Sequence, residues 1–509
     1  MTPRYDVVIP TIGRPSLATL LRALASAPGP APDAVIVVDD RPRVELTRPL
    51  TLPEGLELPV CVLASGGCGP ATARNVGALR TSADWIAFLD DDVVPDPEWR
   101  ERLAYDLSEL SAATAASLGR VRVPQPVGRR PTDHERSVLR LGRARWILAD
   151  AAIRRDAWAA LGGFDERFRH AYREDTDFAL RLREAGLRSA VGSRTSTHLL
   201  RPGTSWARVR AQRGNADDVL LEALHGHDWR RKAGETATWL PVHAASTLAL
   251  GLAGAGASTA ALPVALLTAA PWAALTAAFF AARARQGPTQ PAELAALAGT
   301  SLLIPPAAVA YHLAGRVRVA RLRRHHALLA WRPPRRTVVR AVLFDRDGTL
   351  IRDVPGNRDP ERVRPTRCAA RAVARLRAAG MRLAVVTNQA GVAEGAFTPL
   401  DVERVNARVE GLLGPFDGFF VCPHAASDHC ACRKPAPGLI QEALRKLEVR
   451  PEECVLVGDT GADVAAAFAA GVRPILVPNR ATRSSEVHDA PEVARDLDCA
   501  ALRALGVGA

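Results

Sequence analysis

The chain has 509 residues, a formal net charge of +13 and an apolar content of 48%. That length exceeds what one ordinary core organises, so two or three domains are expected. Arginine supplies most of the charge but only 5% of residues are aromatic, and the basic residues are scattered or flank apolar runs, which points to anionic headgroups and phosphorylated substrates and away from nucleic acid.

The opening MTPRYDVVIPTIGRP has no basic start followed by an apolar stretch, so no secretory leader is expected. Residues 1–235 alternate β-branched runs with helical patterns. YDVVIP (5–10) and DAVIVVDD (33–40) read as buried strands of an α/β sheet. Pro10 closes the first run, and Asp39 and Asp40 close the second. GGCGPATARNVG (66–77), with Arg74 and Asn75, leads through a helix to WIAFLDDDVVPDPEW (85–99). There Asp90, Asp91 and Asp92 follow an apolar strand. Three carboxylates at a sheet edge repel one another unless a cation is bound, and Mg2+ or Mn2+ holding a diphosphate meets that need. Glu174 and Asp175 then open an amphipathic helix, where a carboxylate serves as a cap or as a general base.

Taken in order, these elements resemble the family-two glycosyltransferases of the GT-A fold, over residues 4–225. The resemblance implies a nucleotide-sugar site made of Pro10, Asp39, Asp40, Arg74, Asn75, Asp90 and Asp91, with Asp92 as the Mg2+ or Mn2+ ligand. It also implies that GGFDE (162–166) shapes the acceptor site and that Asp175 deprotonates the acceptor hydroxyl. His198 is either structural or near the metal and diphosphate.

The middle of the chain differs. Thr236 to Ala282 is a run of 47 residues without a charge. As helix it would reach about 70 Å, enough for two crossings of a bilayer core, with GAGAST (254–259) as the turn. A second uncharged run, Leu294 to Gly315, contains Pro305-Pro306, which is expected to break a straight spanning helix. Arginines and a lysine flank these runs. Two crossings plus an in-plane or re-entrant segment put all of them on one face, which the positive-inside rule makes cytoplasmic. The expected division is therefore 1–235, a helical membrane-associated part 236–335, and 336–509.

The last part returns to α/β style. RAVLFDRDG, MRLAVVTN, ECVLVGD and RPILVP read as strands. Asp345 and Asp347 lie two apart where the first of these ends, so one carboxylate can attack phosphorus while the other protonates the leaving oxygen, with Mg2+ screening their repulsion. Thr387 and Asn388 can donate to phosphate, and Lys434 in CRKPAPG supplies a cation. Asp459 precedes Asp463 by four, a spacing suited to metal ligation and loop anchoring. Between them, VCPHAASDHCACRKP (421–435) gathers Cys422, His424, Cys430 and Cys432. Four such ligands suit tetrahedral zinc, a disulfide is disfavoured in a reducing setting, and His429 is the spare.

These four elements resemble the haloacid-dehalogenase (HAD) phosphatases over residues 338–490, and within them the zinc-bearing subgroup of heptose-bisphosphate and histidinol-phosphate phosphatases. The resemblance implies Asp345 as nucleophile, Asp347 as general acid/base, Mg2+ on Asp345, the Asp347 main-chain carbonyl and Asp459, phosphate contacts from Thr387, Asn388, Arg433 and Lys434, and a structural zinc. The sequence departs from the subgroup at VPGNRDPERVRP (354–365), Glu394 and Thr460. The whole reads as two Rossmann-like α/β domains, GT-A and HAD, around a membrane-associated helical segment: a phosphatase of a sugar bisphosphate joined to a glycosyltransferase, with membrane lipids and a lipid-linked or envelope acceptor as partners. The alternative is a histidinol-phosphate or other small phosphomonoester phosphatase with a non-catalytic nucleotide-sugar-binding module.

Overall fold

The β-branched runs form strands because their side chains pack well on a pleated, buried surface. In the computed structural model, which describes residues 3–42, 50–144, 146–200, 203–204, 206–235, 238–258, 262–324 and 339–505, they build two sheets. The first contains β1 (Tyr5–Thr11), β2 (Val35–Asp39), β3 (Val60–Ala64), β4 (Trp85–Leu89), β5 (Val93–Pro95), β6 (Thr114–Arg122), β7 (Asp150–Arg154) and β8 (Arg188–His198), in the order β3-β2-β1-β4-β7-β6-β8-β5. β1 runs parallel to both β2 and β4. The strand order reverses at β1, so the crevice beyond the C-terminal ends of β1, β2 and β4 is where an open α/β sheet takes ligands. Asp39 and the Asp90–Asp92 triplet emerge there.

The second sheet is β9 (Ala341–Phe344), β10 (Arg382–Asn388), β11 (Gly418–Cys422), β12 (Cys454–Gly458) and β13 (Arg473–Leu476), ordered β11-β10-β9-β12-β13 and all parallel. Asp345, Asn388, Cys422 and Asp459 therefore stand at or just past the same edge. Each sheet has an apolar cluster on both faces, Val8, Ile36 and Phe88 opposite Val7, Val35 and Trp99 in the first, Val342 and Val455 opposite Leu343 and Leu456 in the second.

Between the sheets lie three long apolar helices, Leu240–Ala257, Leu262–Ala284 and Pro291–Arg324. All three are long and apolar enough to cross a membrane. Two expectations are corrected. The first helix continues through GAGA to Ala257, where Gly256 lets it pass close to Thr268 of the second; the remainder of the expected turn lies outside the described residues. Pro305-Pro306 does not break the third helix, which runs unbroken from Pro291 to Arg324. Neighbours support that helix through the two prolines. Leu297, Thr300, Ser301, Ile304 and Ala308 are buried along one side, and tertiary packing overrides the local cost of a missing N–H.

The third helix also packs against the catalytic body. Its C-terminal half packs on the helix Gly214–His225 of the first region. Arg318 lies in a seam between Asp217 of the first region (3.6 Å) and Asp489 of the second (3.8 Å), and donates to the Arg167 carbonyl. One apolar cluster crosses this seam, joining Phe168, Leu221, Trp229 and Leu322 to Val464, Phe468 and Leu476.

Candidate active sites

In the second region the sequence places Asp345, Asp459 and Asp463 at one strand edge, and folding brings two of them, Asp345 and Asp463, to a single ammonium. Lys434 Nζ donates to Asp345 (2.5 Å), to Asp463 (2.6 Å) and to the Val386 carbonyl (2.9 Å). Asp345, Asp459 and Asp463 have carboxylate oxygens within 4.8 Å of one another. Gly348 (φ +85°) is needed here, because a Cβ would come within 2.5 Å of the Asp459 carboxylate. Burial pushes Asp345 well above the usual carboxylate range, with Lys434 pulling down and Asp463, Asp459 and Asp347 pushing further up. Burial, aided by Asp463, pushes Asp459 up to about 6. Three buried carboxylates on one lysine leave an excess of negative charge that a divalent cation fits.

Asp347 accepts from Gln389 Nε2 (2.8 Å), from the Arg346 guanidinium (2.9 Å) and from Thr387 (3.4 Å), which fixes its orientation beside Asp345. Asn388 is spent on the Lys434 main chain, donating to its carbonyl and accepting from its N–H, both at 3.1 Å. It positions the lysine. Arg433 donates to the His424 carbonyl (3.2 Å) and is thereby tied to the loop of Cys422, Cys430 and Cys432. Asp459 accepts from Thr349 (2.9 Å) and Asn479 (2.7 Å). Asp463 also accepts from Thr460 and caps the helix Gly461–Ala469.

Immediately before Lys434, the Cys422, Cys430 and Cys432 sulfurs and His424 Nδ1 approach one another at 3.3–3.6 Å. A tetrahedron with Zn–S bonds of about 2.3 Å has edges of about 3.5–3.8 Å, so this donor set fits zinc. The Arg433 N–H donates to the Cys430 sulfur (3.3 Å), the kind of outer contact that steadies a thiolate ligand. His429 stays outside the quartet, and all eight cysteines are free of disulfides.

In the first region almost every acidic motif residue has a basic partner. Asp39 is ion-paired with Arg41 (2.7 Å). Asp40 accepts from Ser65 (2.7 Å) and from the Gly69 N–H (3.1 Å), holding the loop into the helix Pro70–Ala78, and burial raises it. Asp91 accepts from Thr11 (2.6 Å) and Arg14 (2.5 Å). Asp92 lies 3.5 Å from His198 Nε2, because β5 and β8 pair Val93 with His198. Arg74 spans two motifs: it donates to Asp90 (2.7 Å) and to Glu174 (2.9 Å). Asn75 is buried and satisfied by the Phe164 N–H and carbonyl and by Glu166, so it fastens the GGFDE loop and does not face the crevice, contrary to the sequence expectation. Pro10 is half-buried in β1, paired with Val38. Asp175 sits in the first turn of the helix Glu174–Glu184 and accepts from the Thr176 N–H (2.6 Å); burial raises both Glu174 and Asp175.

Several residues that hold these sites lie outside the sequence expectations. Gln389 and Arg346 steady Asp347, Asn479 and Thr349 steady Asp459, and Arg14 neutralises Asp91. Gln389 and Arg346 lie inside TNQAG and FDRDG and were within reach as polar neighbours of the motif aspartates. Asn479 and Arg14 come from loops with no motif to mark them.

Comparison with known proteins agrees with this geometry. The profile of glycosyl transferase family 2 matches residues 6–167, and a HAD-hydrolase-like profile matches residues 431–501. The D-glycero-beta-D-manno-heptose-1,7-bisphosphate 7-phosphatase of Neisseria meningitidis serogroup A is 32% identical over 168 residues, 31% of this chain and 90% of that protein. The chain belongs, through its C-terminal region, to the heptose-bisphosphate phosphatase family. The corresponding alpha-anomer phosphatase of Mycobacterium bovis is 38% identical over 130 residues, 24% of this chain and 68% of its own length. Among solved structures, the D,D-heptose 1,7-bisphosphate phosphatase of B. bronchiseptica complexed with magnesium and phosphate is 30% identical, covering 33% of this chain and 98% of that one, with a TM-score of 0.31. The chain thus carries a family-two glycosyltransferase domain followed by a HAD phosphatase domain.

Proposed function

We propose that the phosphatase domain hydrolyses a sugar bisphosphate, a heptose 1,7-bisphosphate, with Mg2+, and that the transferase domain moves a sugar from a nucleotide sugar onto an envelope acceptor. What carries this reading is the cluster of Asp345, Asp459 and Asp463 on Lys434, directly after the Cys3His quartet. Mg2+, held by Asp345, Asp459 and the Asp347 carbonyl, would supply charge neutralisation at the transferring phosphoryl group. Asp345 attacks phosphorus and becomes an aspartyl-phosphate; Lys434 offsets the charge of the phosphoryl oxygens. Asp347, oriented by Gln389 and Arg346, gives a proton to the leaving oxygen and then takes one from the water that releases phosphate. In the transferase domain, Asp175 takes the proton of the acceptor hydroxyl, while Asp92, with His198 beside it, would hold Mg2+ or Mn2+, which would supply charge neutralisation for the diphosphate.

The heptose assignment is supported by the names of the relatives and by the pairing with a transferase domain, which suits nucleotide-heptose supply better than histidine synthesis. A panel of sugar phosphates decides it. Wild type should release phosphate from heptose 1,7-bisphosphate faster than from histidinol phosphate, and Asp345→Asn should lower that rate by at least about a thousandfold. Faster turnover of histidinol phosphate would overturn the heptose reading.

The first two apolar helices are read as a membrane hairpin and the third as a strut along the catalytic body, with both catalytic domains on the cytoplasmic face. The exposed Leu248, Leu252, Leu266 and Leu267 support the hairpin, and the seam contacts of Arg318 support the strut. Carbonate-washed membranes should retain the chain, and protease added outside intact cells should leave both domains whole; recovery in a detergent-free supernatant would sink the hairpin.

A further inference from the structure

At one end of the hairpin, where the first apolar helix begins and the second ends, the chain encloses a cavity of about 330 Å³. Five arginines line it: Arg136, Arg140, Arg208, Arg230 and Arg283. Among the described residues two carboxylates, Asp133 and Asp218, share the lining with them, and Glu235 outside it reaches Arg230 (3.3 Å). Asp133 serves Arg136 (2.9 Å), Arg283 (2.7 Å) and Arg208 (3.5 Å), while Asp218 serves Arg173 and Arg230. Arg140 is exposed and has no carboxylate partner among the described residues. Burial lowers Arg208, and Arg140, Arg283 and Arg136 lower it further against the pull of Asp133. Guanidinium groups in such excess suit a phosphate, whose oxygens they bind in pairs.

The walls on the membrane side are aromatic. Trp239 and Phe279 lie 6.2 Å apart between ring centres, with His243 5.1 Å from Phe279. Trp239 is half exposed at the very start of the first apolar helix, where an amphipathic ring suits the headgroup level of a bilayer. Ile304 of the third helix closes the floor. On the catalytic side the wall is Tyr172, three residues before Asp175. A cationic chamber therefore has the ends of two apolar helices in one wall and, in another, Tyr172 from the loop that leads into the helix of Asp175.

We propose that this cavity binds the phosphate or diphosphate head of a lipid whose apolar tail lies along the hairpin, and that this lipid carries the acceptor. The proposal rests on the transferase reading above and names its acceptor class. Transfer then forms a bond from the sugar's anomeric carbon to the acceptor oxygen, breaks the bond to the nucleotide diphosphate, and passes the acceptor proton to Asp175.

The test uses the full chain in phosphatidylcholine nanodiscs, titrated with farnesyl phosphate, farnesol and inorganic phosphate. Saturable binding of farnesyl phosphate is expected, with farnesol and inorganic phosphate each at least tenfold weaker. Arg140→Glu, at an exposed position with no carboxylate partner among the described residues, should weaken farnesyl phosphate tenfold or more, and Arg208→Ala likewise. Inorganic phosphate binding as tightly as farnesyl phosphate would make this a free-anion site and overturn the proposal. So would farnesol binding as tightly, or an affinity that neither variant changes. Because no donor is present, a chain that binds farnesyl phosphate through these arginines yet releases no nucleotide from any nucleotide sugar would sink the transferase reading and leave the cavity assignment standing.

Discussion

The two catalytic domains solve the problem of crowded carboxylates in opposite ways. The transferase domain neutralises its own acids: Arg41 on Asp39, Arg14 on Asp91, and Arg74 on both Asp90 and Glu174. The phosphatase domain gathers three buried aspartates around a single lysine, which pairs with only two of them, Asp345 and Asp463. Self-neutralised acids are stable without a ligand and must be re-partnered when a charged donor arrives. Under-neutralised acids hold a standing demand for a cation, and that demand is part of the chemistry.

The sharpest way to break this comparison is metal removal. EDTA should lower phosphate release by more than about a hundredfold, with recovery on added Mg2+, while nucleotide release by the transferase domain falls less. Equal losses would mean that the arginines do not substitute for a cation. Next in size is the Cys3His quartet. Metal analysis should find one zinc per chain; Cys430→Ser should lose it, lower the melting temperature of the phosphatase domain and slow phosphate release, because the same loop carries Lys434. Arg74→Ala should cost about 3–5 kcal/mol in denaturant unfolding, since it strands two carboxylates, one of them buried, and should depress nucleotide release while sparing phosphate release.

Smaller effects probe the seam. Arg503 of the phosphatase domain donates to Glu166 of the transferase domain (3.3 Å), the residue that also holds Thr72 and Asn75. Arg503→Ala should cost about 1–3 kcal/mol and slow the transferase severalfold, with phosphate release within twofold of wild type. The smallest effect is a pH one. Burial, with the guanidinium groups of Arg318 and Arg169, lowers His488 from its ordinary 6.5 to about 4. The folded chain keeps it neutral while the unfolded chain takes up a proton, so its contribution is flat above pH 6.5 and stability falls as pH drops from 6.5 toward 4. Thermal melts over that window should show the decline, and His488→Gln should reduce it.

Much of this was legible in the sequence because the chemistry sits at strand ends. Asp345, Asn388, Cys422 and Asp459 are fixed by parallel strands in sequence order, and the Cys-x-His and Cys-x-Cys pairs are local enough to read directly. What escaped was whatever depends on distant packing. The short strand Gly418–Cys422 carries no long β-branched run. Pro305-Pro306 predicts a break, yet neighbours along the helix outweigh it. Asn75 looked like a ligand contact, but Phe164 and Glu166, some ninety residues on, claim all of its polar atoms. The arginine cavity needs residues from position 133 to position 304 and no local spacing announces it.

Arg503 and the seam around it have a practical bearing on how the protein is handled. The domains touch each other directly: Arg169 donates to the Val487 and Ala490 carbonyls, and Cys68 approaches the Val493 carbonyl. Cutting the chain near residue 336 to obtain a freestanding transferase would bare the apolar seam of Phe168 and Leu221 and leave Glu166 without Arg503. Such a half should be sticky and sluggish, whereas co-producing the two halves as separate polypeptides should let them find each other and regain solubility together.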